Sequence, residues 1–428
     1  DAGAQRMCDT TFKKNLWDLD GSRGDAGVLR VCLLKRRQVM SSESTCFYVM
    51  SINCVYFDIK YQPIEIIDMS YSPDKPHNYL PPLPPEADIE TPAVLKAAIV
   101  ANRALGELKG KSESLPNPSM LVNSIVLQEA KSSSEIENVV TTNDKLFTAL
   151  STEDSSVDPQ TKEVLRYRQA LWKGVEWLDD NPLSADLFIE LMQTIKETGQ
   201  GIRTEPGTVI ANPNTQKIIY WPPEGKELIR NLLENLEHYL YAEDGVDPLI
   251  KMAVAHYQFE AIHPFEDGNG RTGRLINILY LINKGLLNQP VLYLSDAIIS
   301  KKQEYYNLLR GVTENGEWEP WILFILEAVE VTSGQTMKRI GEIIALLEKT
   351  LEIAREKLPD RVYSKELIEL LFEQPYCKVK YLVDRGIAKR QTAAEYLREL
   401  EEAGILTSKQ VGRENLFLNV GLYELLAG

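Results

Sequence analysis

Twelve consecutive residues, His263-Pro264-Phe265-Glu266-Asp267-Gly268-Asn269-Gly270-Arg271-Thr272-Gly273-Arg274, hold an imidazole, two carboxylates and two guanidinium groups. An unperturbed imidazole titrates near neutrality, so His263 can take a proton from an attacking hydroxyl. Gly268 and Gly270 let the backbone approach a ligand closely, and Asn269 tolerates left-handed geometry. A loop of this kind running into a helix N-terminus presents free N–H groups and favours phosphate. Arg271 and Arg274, three apart, can address the same polyphosphate with planar forks. Asp267 is placed to hold Mg²⁺ between two phosphates. Each residue alone has an ordinary structural reading; together they describe a site that holds a nucleotide's phosphates and activates a nucleophile beside them.

The elements that must position this loop are mostly helical. A strongly amphipathic helix over 247–262 is predicted from Leu249, Met252, Ala253, His256, Phe259 and Ile262, and Pro264 ends it. The next begins near Gly270 and stops about Gly285. Further helical patterns cover 91–109, 119–131, 162–177, 184–198, 226–241, 296–312, 318–332 and 335–357. A short helix is expected to start in Ser132-Ser133-Ser134 and contain Glu137; Ser134-x-x-Glu137 and Ser132-x-x-Glu135 both read as capping boxes. One hairpin signal appears, 208–211 and 217–221 flanking Asn212-Pro213-Asn214-Thr215. After Pro359 the order helix 364–373, helix 377–384, helix 389–403, then strands 405–407 and 416–419 describes a winged helix-turn-helix.

His263 to Arg274 matches the pattern HPFx(D/E)GNGRxGR of the Fic (Fido) family without departure. From about residue 80 to 428 the chain resembles Fic proteins with an N-terminal helical region and a C-terminal winged helix. That resemblance implies a mainly α fold: a Fic helical core with a β-hairpin flap, divided here as 69–160, a catalytic core over 161–358 and a winged-helix domain over 359–428. It implies transfer of AMP from ATP to a Ser, Thr or Tyr hydroxyl of a target protein or of the chain itself. His263 would be the base and Asp267 the Mg²⁺ ligand. Gly268, Asn269, Gly270, Arg271 and Gly273 would line the phosphates, and Arg274 would meet the γ-phosphate. Phe265 would be a buried anchor. Tyr305, Tyr306 and Asn307 resemble the family's adenine-side region. Relatives that transfer a γ-phosphate carry Lys at position 270, so Gly270 indicates AMP transfer. The hairpin lies where the family carries a flap that aligns the target by strand pairing.

Ser133-Ser134-Glu135-Ile136-Glu137-Asn138 resembles the family's inhibitory pattern (S/T)xxxE(G/N). Its position before the catalytic loop resembles the subclass braked from the N-terminal side. Glu137 would occupy the guanidinium of Arg274 meant for the γ-phosphate, with Ser133 and Asn138 framing it. In some relatives the same glutamate supports removal of AMP. Family members often pair, so a homodimer is implied.

Composition narrows the alternatives. The net charge is -15, which disfavours non-specific attraction to nucleic acid or anionic lipid. From Pro359 onward ten Lys or Arg face eleven Asp or Glu, so the winged helix lacks the basic balance usual for DNA binding. A DNA-binding regulator with a nucleotide-sensing site stays the alternative reading. The apolar stretch 46–57, broken by Ser51 and Asn53, is too short to span a bilayer. No secretory signal is visible, so a cytoplasmic protein is expected. Residues 1–68 read as an atypical, poorly structured extension, and Met69 opens a stretch resembling an ordinary protein start. Cys8, Cys32, Cys46 and Cys54 crowd that extension, with Cys377 far beyond; no CxxC pair exists, so reduced thiols are expected rather than a zinc site.

Overall fold

The structure, a computed structural model, describes residues 71–113, 118–151, 157–212, 215–411 and 414–427, together with the backbone of 28–40 and 46–58. Two compact units result, 1–70 and 71–428. In the first, strands β1 (Val28–Met40) and β2 (Cys46–Asp58) pair antiparallel from Val28↔Asp58 to Met40↔Cys46. The rest of the expected extension over 1–68, and its cysteine side chains, lie outside the described residues.

The second unit opens with α1 (Pro92–Glu113), α2 (Pro118–Ile136), α3 (Asn143–Ser151), α4 (Pro159–Trp177) and α5 (Ala185–Lys196). Strands β3 (Ile210–Ala211) and β4 (Ile218–Tyr220) form the small hairpin. Helices α6 (Lys226–Tyr241), α7 (Pro248–Ile262), α8 (Asn269–Asn283), α9 (Leu294–Ser300), α10 (Lys302–Asn315) and α11 (Trp318–Lys357) complete the helical core. The fold is mainly α, as the sequence predicts. Local chemistry starts these helices where the spacing suggests. Asp158 accepts from Thr161 N at 3.0 Å, and Asp247 accepts from Leu249 N at 2.8 Å. Each is followed by proline at the first helical position, where its missing N–H costs nothing.

Three predicted features are corrected. Helices expected over 318–332 and 335–357 are the single 40-residue α11. Ile325, Val329, Thr332, Thr336, Ile340, Ile343 and Leu347 are all buried and keep helical spacing straight through Gly334. That stripe outweighs the roughly 1 kcal/mol a mid-helix glycine costs. Helix α7 is not amphipathic but buried almost all round. Three of its polar residues find partners inside: Lys251 Nζ pairs with Asp244 at 2.7 Å, Gln258 Nε2 donates to Pro81 O at 2.9 Å, and His256 Nε2 meets the Tyr305 hydroxyl at 2.8 Å. Finally, no separate helix begins at Ser132; α2 runs unbroken to Ile136. The serines do not cap because the helical ladder continues through them, and Ser133 and Ser134 are buried against the core.

After Pro359 come α12 (Lys365–Leu370), β5 (Tyr376–Cys377), α13 (Val379–Asp384), α14 (Arg390–Glu402), β6 (Thr407–Val411), β7 (Glu414–Leu418) and α15 (Val420–Ala427). The strands make one antiparallel sheet in the order β5-β7-β6. Cys377, expected to open a helix, instead joins Tyr376 in a strand that pairs with Phe417 and Leu418, and both side chains are buried there. Burial pushes the Cys377 thiol up to about 12, so it is protonated and inert. This region packs on α3: the Tyr376 hydroxyl donates to Asp144 at 2.6 Å, and Phe147 meets Tyr423 edge-on at 6.0 Å between centroids. Among the described residues no helix is long and apolar enough to cross a membrane.

Candidate active site

The loop that begins at His263 joins the end of α7 to the start of α8. His263 ends α7 in a left-handed conformation, φ 48° and ψ 60°, with its N–H on Phe259 O at 3.0 Å. Gly268 is the second left-handed residue, φ 88°, and precedes α8 directly. Between them Phe265 is fully buried against Phe259. Asn269 corrects its expected role. It is not left-handed but opens α8, and its side chain staples the loop: Phe265 N donates to Oδ1 at 2.9 Å, while Nδ2 donates to Phe265 O at 2.8 Å. Its amide is therefore occupied, and what it leaves for an anion is the backbone. The first N–H groups of α8 lack intrahelical partners by helix geometry and sit where a phosphate can reach them.

Arg203, which the sequence did not single out, braces this turn. Its Nε donates to His263 O at 2.8 Å and its Nη2 to Ile262 O at 3.3 Å, while its N–H binds Pro264 O at 3.0 Å. Burial first, and then the Arg203 charge, hold the His263 imidazole down at about 4. At neutral pH the ring is uncharged and ready to accept a proton. The hairpin is tied to the same place: the Tyr220 hydroxyl donates to Ala261 O at 2.7 Å, two residues before His263. The Tyr71 ring stacks on Tyr220, and its hydroxyl donates to Ile219 O at 2.8 Å.

The two arginines have separate surroundings. Arg271, 2% exposed, pairs with Glu163 of α4 and with Asp267 at 3.3 Å. Lys196 at the end of α5 binds both carboxylates, Glu163 at 2.8 Å and Asp267 at 2.6 Å. Burial opposes the charge of Asp267, yet Lys196 and Arg271 hold it below the usual carboxylate range. Its side chain remains 63% exposed. No group of three or more His, Cys, Asp or Glu among the described residues can cage a metal. One accessible carboxylate beside an anion-binding loop does fit Mg²⁺, which takes few protein ligands and completes its shell with phosphates and water.

Arg274, 1% exposed, is held by α2. Its Nε donates to Ser133 Oγ, and its Nη2 donates to Ser133 O and Glu137 Oε1, each at 2.8 Å. Burial opposes the guanidinium charge, but Glu137, Tyr305 and Glu260 more than offset it. Burial likewise raises and Arg274 more strongly lowers the Glu137 carboxyl, so the pair is ionic. Glu137 caps the C-terminal end of α2 in a Schellman arrangement. Val139 N binds Ser134 O, and Asn138 N binds Glu135 O, each at 3.0 Å, with Asn138 left-handed at φ 62°. Asn138 therefore occupies a position that Gly or Asn fills at least cost. A Cβ at Gly270 would collide with the Glu137 carboxylate, so that glycine seats it. Gly273 makes room for Glu260, whose Oε1 lies 2.8 Å from where a Cβ would stand. Burial raises the Glu260 carboxyl to about 7.

Tyr305 and Asn307 depart from expectation. Tyr305 is 1% exposed and packs among His256, Trp321 and Phe324, supporting the site from below rather than facing a nucleotide. Asn307 is exposed and accepts from Gln303 Nε2 at 3.1 Å. Tyr306, 41% exposed and edge-on to Tyr305 at 5.3 Å, is the aromatic of this helix with a free face. An aromatic pair on a helix has one inward and one outward member, and spacing alone does not say which.

Comparison with known proteins agrees with this geometry. The family model "Fic/DOC family N-terminal" matches residues 95–176, "Fic/DOC family" matches 182–281, and "Protein adenylyltransferase SoFic-like, C-terminal domain" matches 346–422. Curated proteins named "Protein adenylyltransferase Fic" from Drosophila mojavensis and Drosophila melanogaster are 37% and 36% identical over 114 residues, 26% of this chain. The matched stretch spans 21% of each of those relatives. A crystal structure of a Fic family protein from Desulfovibrio desulfuricans G20 shares the fold, with a TM-score of 0.51 at 19% identity, covering 79% of this chain and 98% of that one. With family models matching in sequence order across more than half of its residues, and the loop from His263 to Arg274 at the junction of α7 and α8, the chain belongs to the Fic/DOC family.

Proposed function

We propose that this chain transfers AMP from ATP to a Ser, Thr or Tyr hydroxyl of a protein, and that Glu137 holds this activity off. The observation that carries the proposal is the seat of Arg274: a guanidinium aimed at the anion loop is already paired with a carboxylate from α2. In the forward reaction His263 Nε2 or Nδ1 takes the hydroxyl proton, the hydroxyl oxygen bonds to the α-phosphorus, and the bond to the β-phosphate oxygen breaks. Pyrophosphate leaves, and the product is a phosphodiester of AMP. The N-terminal N–H groups of α8 face the phosphate oxygens, and Arg271 and Arg274 balance their charge. A bound Mg²⁺ at Asp267 supplies further neutralisation of the α- and β-phosphates. Glu137 on Arg274 denies the γ-phosphate its partner, so ATP binds with its α-phosphate misaligned for in-line attack.

Strands β3 and β4 are placed to align the target segment, because Tyr220 ties them to the end of α7. The winged helix, with its balanced charge and its packing on α3, fits selection of a protein partner better than of DNA. Self-modification, pairing of two copies and AMP removal assisted by Glu137 belong to the same reading. Protein incubated with ATP labelled at the α- or the γ-phosphate tests it directly. With the Glu137→Gly variant, retained α-label alone is expected; γ-label on that protein, or none from either position, overturns the reading.

The neutral His263 sets the pH response. A base is active when unprotonated, so transfer falls as pH drops through its pKa, about 4 here rather than the usual 6.5. Initial rates under kcat/KM conditions should therefore show no loss attributable to this group between pH 7 and 5. An acid limb centred near 6.5 would refute the buried, neutral base.

The cap at Asn138 gives a finer test of the brake. Asn138→Gly keeps the left-handed turn and should leave basal transfer unchanged. Asn138→Val places a β-branched residue at φ 62°, a strain of about 1–2 kcal/mol. Loosening Glu137 by that amount should raise basal α-label incorporation by roughly 5- to 30-fold. Equal rates for the Gly and Val variants would uncouple the turn from the brake.

A further inference from the structure

The loop's acidic residue is already neutralised by a lysine from outside the motif. Lys196 Nζ stands 2.6 Å from Asp267 Oδ2 and 2.8 Å from Glu163 Oε1. Arg271 engages the other oxygen of Asp267 and the same Glu163. Two cations and two anions thus close a ring around the position where a divalent cation and phosphates are read to bind. The lysine stem runs beside the anion loop, with Cγ and Cδ 3.4 and 3.6 Å from where a Cβ of Gly268 would lie. It is the last residue of α5, followed by the left-handed Glu197 that stops the helix. Its ammonium is therefore set at the loop by the fold and not by the motif.

We infer that Lys196 is the resident cation of the metal position, holding Asp267 in the nucleotide-free chain and competing with a divalent cation for it. The inference rests on the proposed reading of Asp267 as the ligand of that cation. An ammonium and Mg²⁺ on one carboxylate oxygen repel each other. Lys196 must yield Oδ2 before the divalent ion takes it. Glu163 gives it somewhere to go, since Nζ can swing fully onto that carboxylate without losing an ionic partner. Glu163 is thereby the positioning residue of the exchange, and it keeps Arg271 in place throughout. The swap makes the empty site electrically complete and ties metal entry to a small movement of one side chain. Lysine suits this because its ammonium is a compact charge on a flexible stem.

The test compares affinity for the methylene analogue of ATP that cannot be cleaved between its α- and β-phosphates. Calorimetric titrations of the full chain are run with and without Mg²⁺, and the gain on adding Mg²⁺ is compared between variants. Lys196→Met should increase that gain at least tenfold over the parent, and Lys196→Arg should return it to the parental value. Lys196→Gln, which keeps a hydrogen bond to Glu163, is carried beside the Met variant so that misfolding of one leaves the comparison intact. Asp267→Asn should abolish the gain in every background. An unchanged gain in the Met and Gln variants, with the Asp267 dependence intact, overturns the competition and leaves the metal reading standing. A gain that survives Asp267→Asn overturns both.

Discussion

Replacing His263 by alanine in a Glu137→Gly background is expected to lower α-phosphoryl transfer about 10²–10⁴-fold, the usual contribution of a positioned base. The attacking hydroxyl holds its proton at neutral pH, so a nearby uncharged acceptor is needed at the moment of attack. In the proposed reaction His263 serves as that acceptor, because burial and the Arg203 guanidinium keep its ring unprotonated. The variant should still bind ATP, since Asn269 staples the loop to the backbone of Phe265 and not to the imidazole. Nucleotide affinity within a few-fold of the parent, with label incorporation at background, is the expected pair of results. Transfer within tenfold of the His263 parent would remove the imidazole from the mechanism.

The second large effect runs the other way. Glu137→Gly should raise basal transfer at least tenfold. A hydrogen bond to a charged group contributes about 1.5–3 kcal/mol, which corresponds to roughly 10–150-fold. The structure favours a clean release. Ser133 Oγ and Ser133 O still hold Arg274 after the carboxylate is gone, so the guanidinium is freed electrically but stays in place. Glycine at position 137, the cap residue before the left-handed Asn138, adds flexibility at a point where α2 has already ended. Glu137→Gln should give an intermediate rise, because it keeps the shape and loses the charge. Parent and Glu137→Gly chains incubated with α-labelled ATP and Mg²⁺ decide the matter; equal incorporation would show that the Arg274 contact restrains nothing. If Glu137 also supports removal of AMP, pre-labelled protein should lose label faster with the parent than with the glycine variant.

Much of the site was legible in the residues because its chemistry is local. From His263 to Arg274 every group sits on one loop and the first turns of one helix, so spacing alone brings them together. The contact with Arg274 follows from a similarly local spacing: Ser133 and Glu137 are one turn apart and present the same face to it. The misreadings share a cause. Capping boxes at Ser132 and Ser134, a break at Gly334 and an amphipathic α7 are local inferences, and burial overruled each. A serine that caps an exposed helix start stays inside a helix when its flank is packed. A glycine that would end a solvent-exposed helix is carried through when the apolar stripe continues on both sides. Tyr305 and Tyr306, neighbours read alike from the sequence, are separated by packing: the first faces the core and the second keeps a free face.

The residues the sequence did not offer are those that reach the loop from elsewhere. Arg203 is 60 positions from His263, and Glu163 is 108 from Arg271. Lys196, Tyr220 and Glu129 are similarly remote. Glu129 pins α2 by accepting from Ser295 N at 2.9 Å and from the Tyr167 hydroxyl at 3.1 Å. Each is an ordinary charged or polar side chain in a helix, hairpin or connecting segment, with no neighbour in sequence to mark it. The sequence by itself determined which polar groups share one loop, the glycine-bearing turn before α8 and the serine-to-glutamate spacing that precedes it, because those depend on residue type and short-range geometry. The tertiary structure decided that the His263 ring is neutral, that Arg274 is occupied and that Asp267 already has a cation, because burial and long-range charge exist only once distant helices have packed.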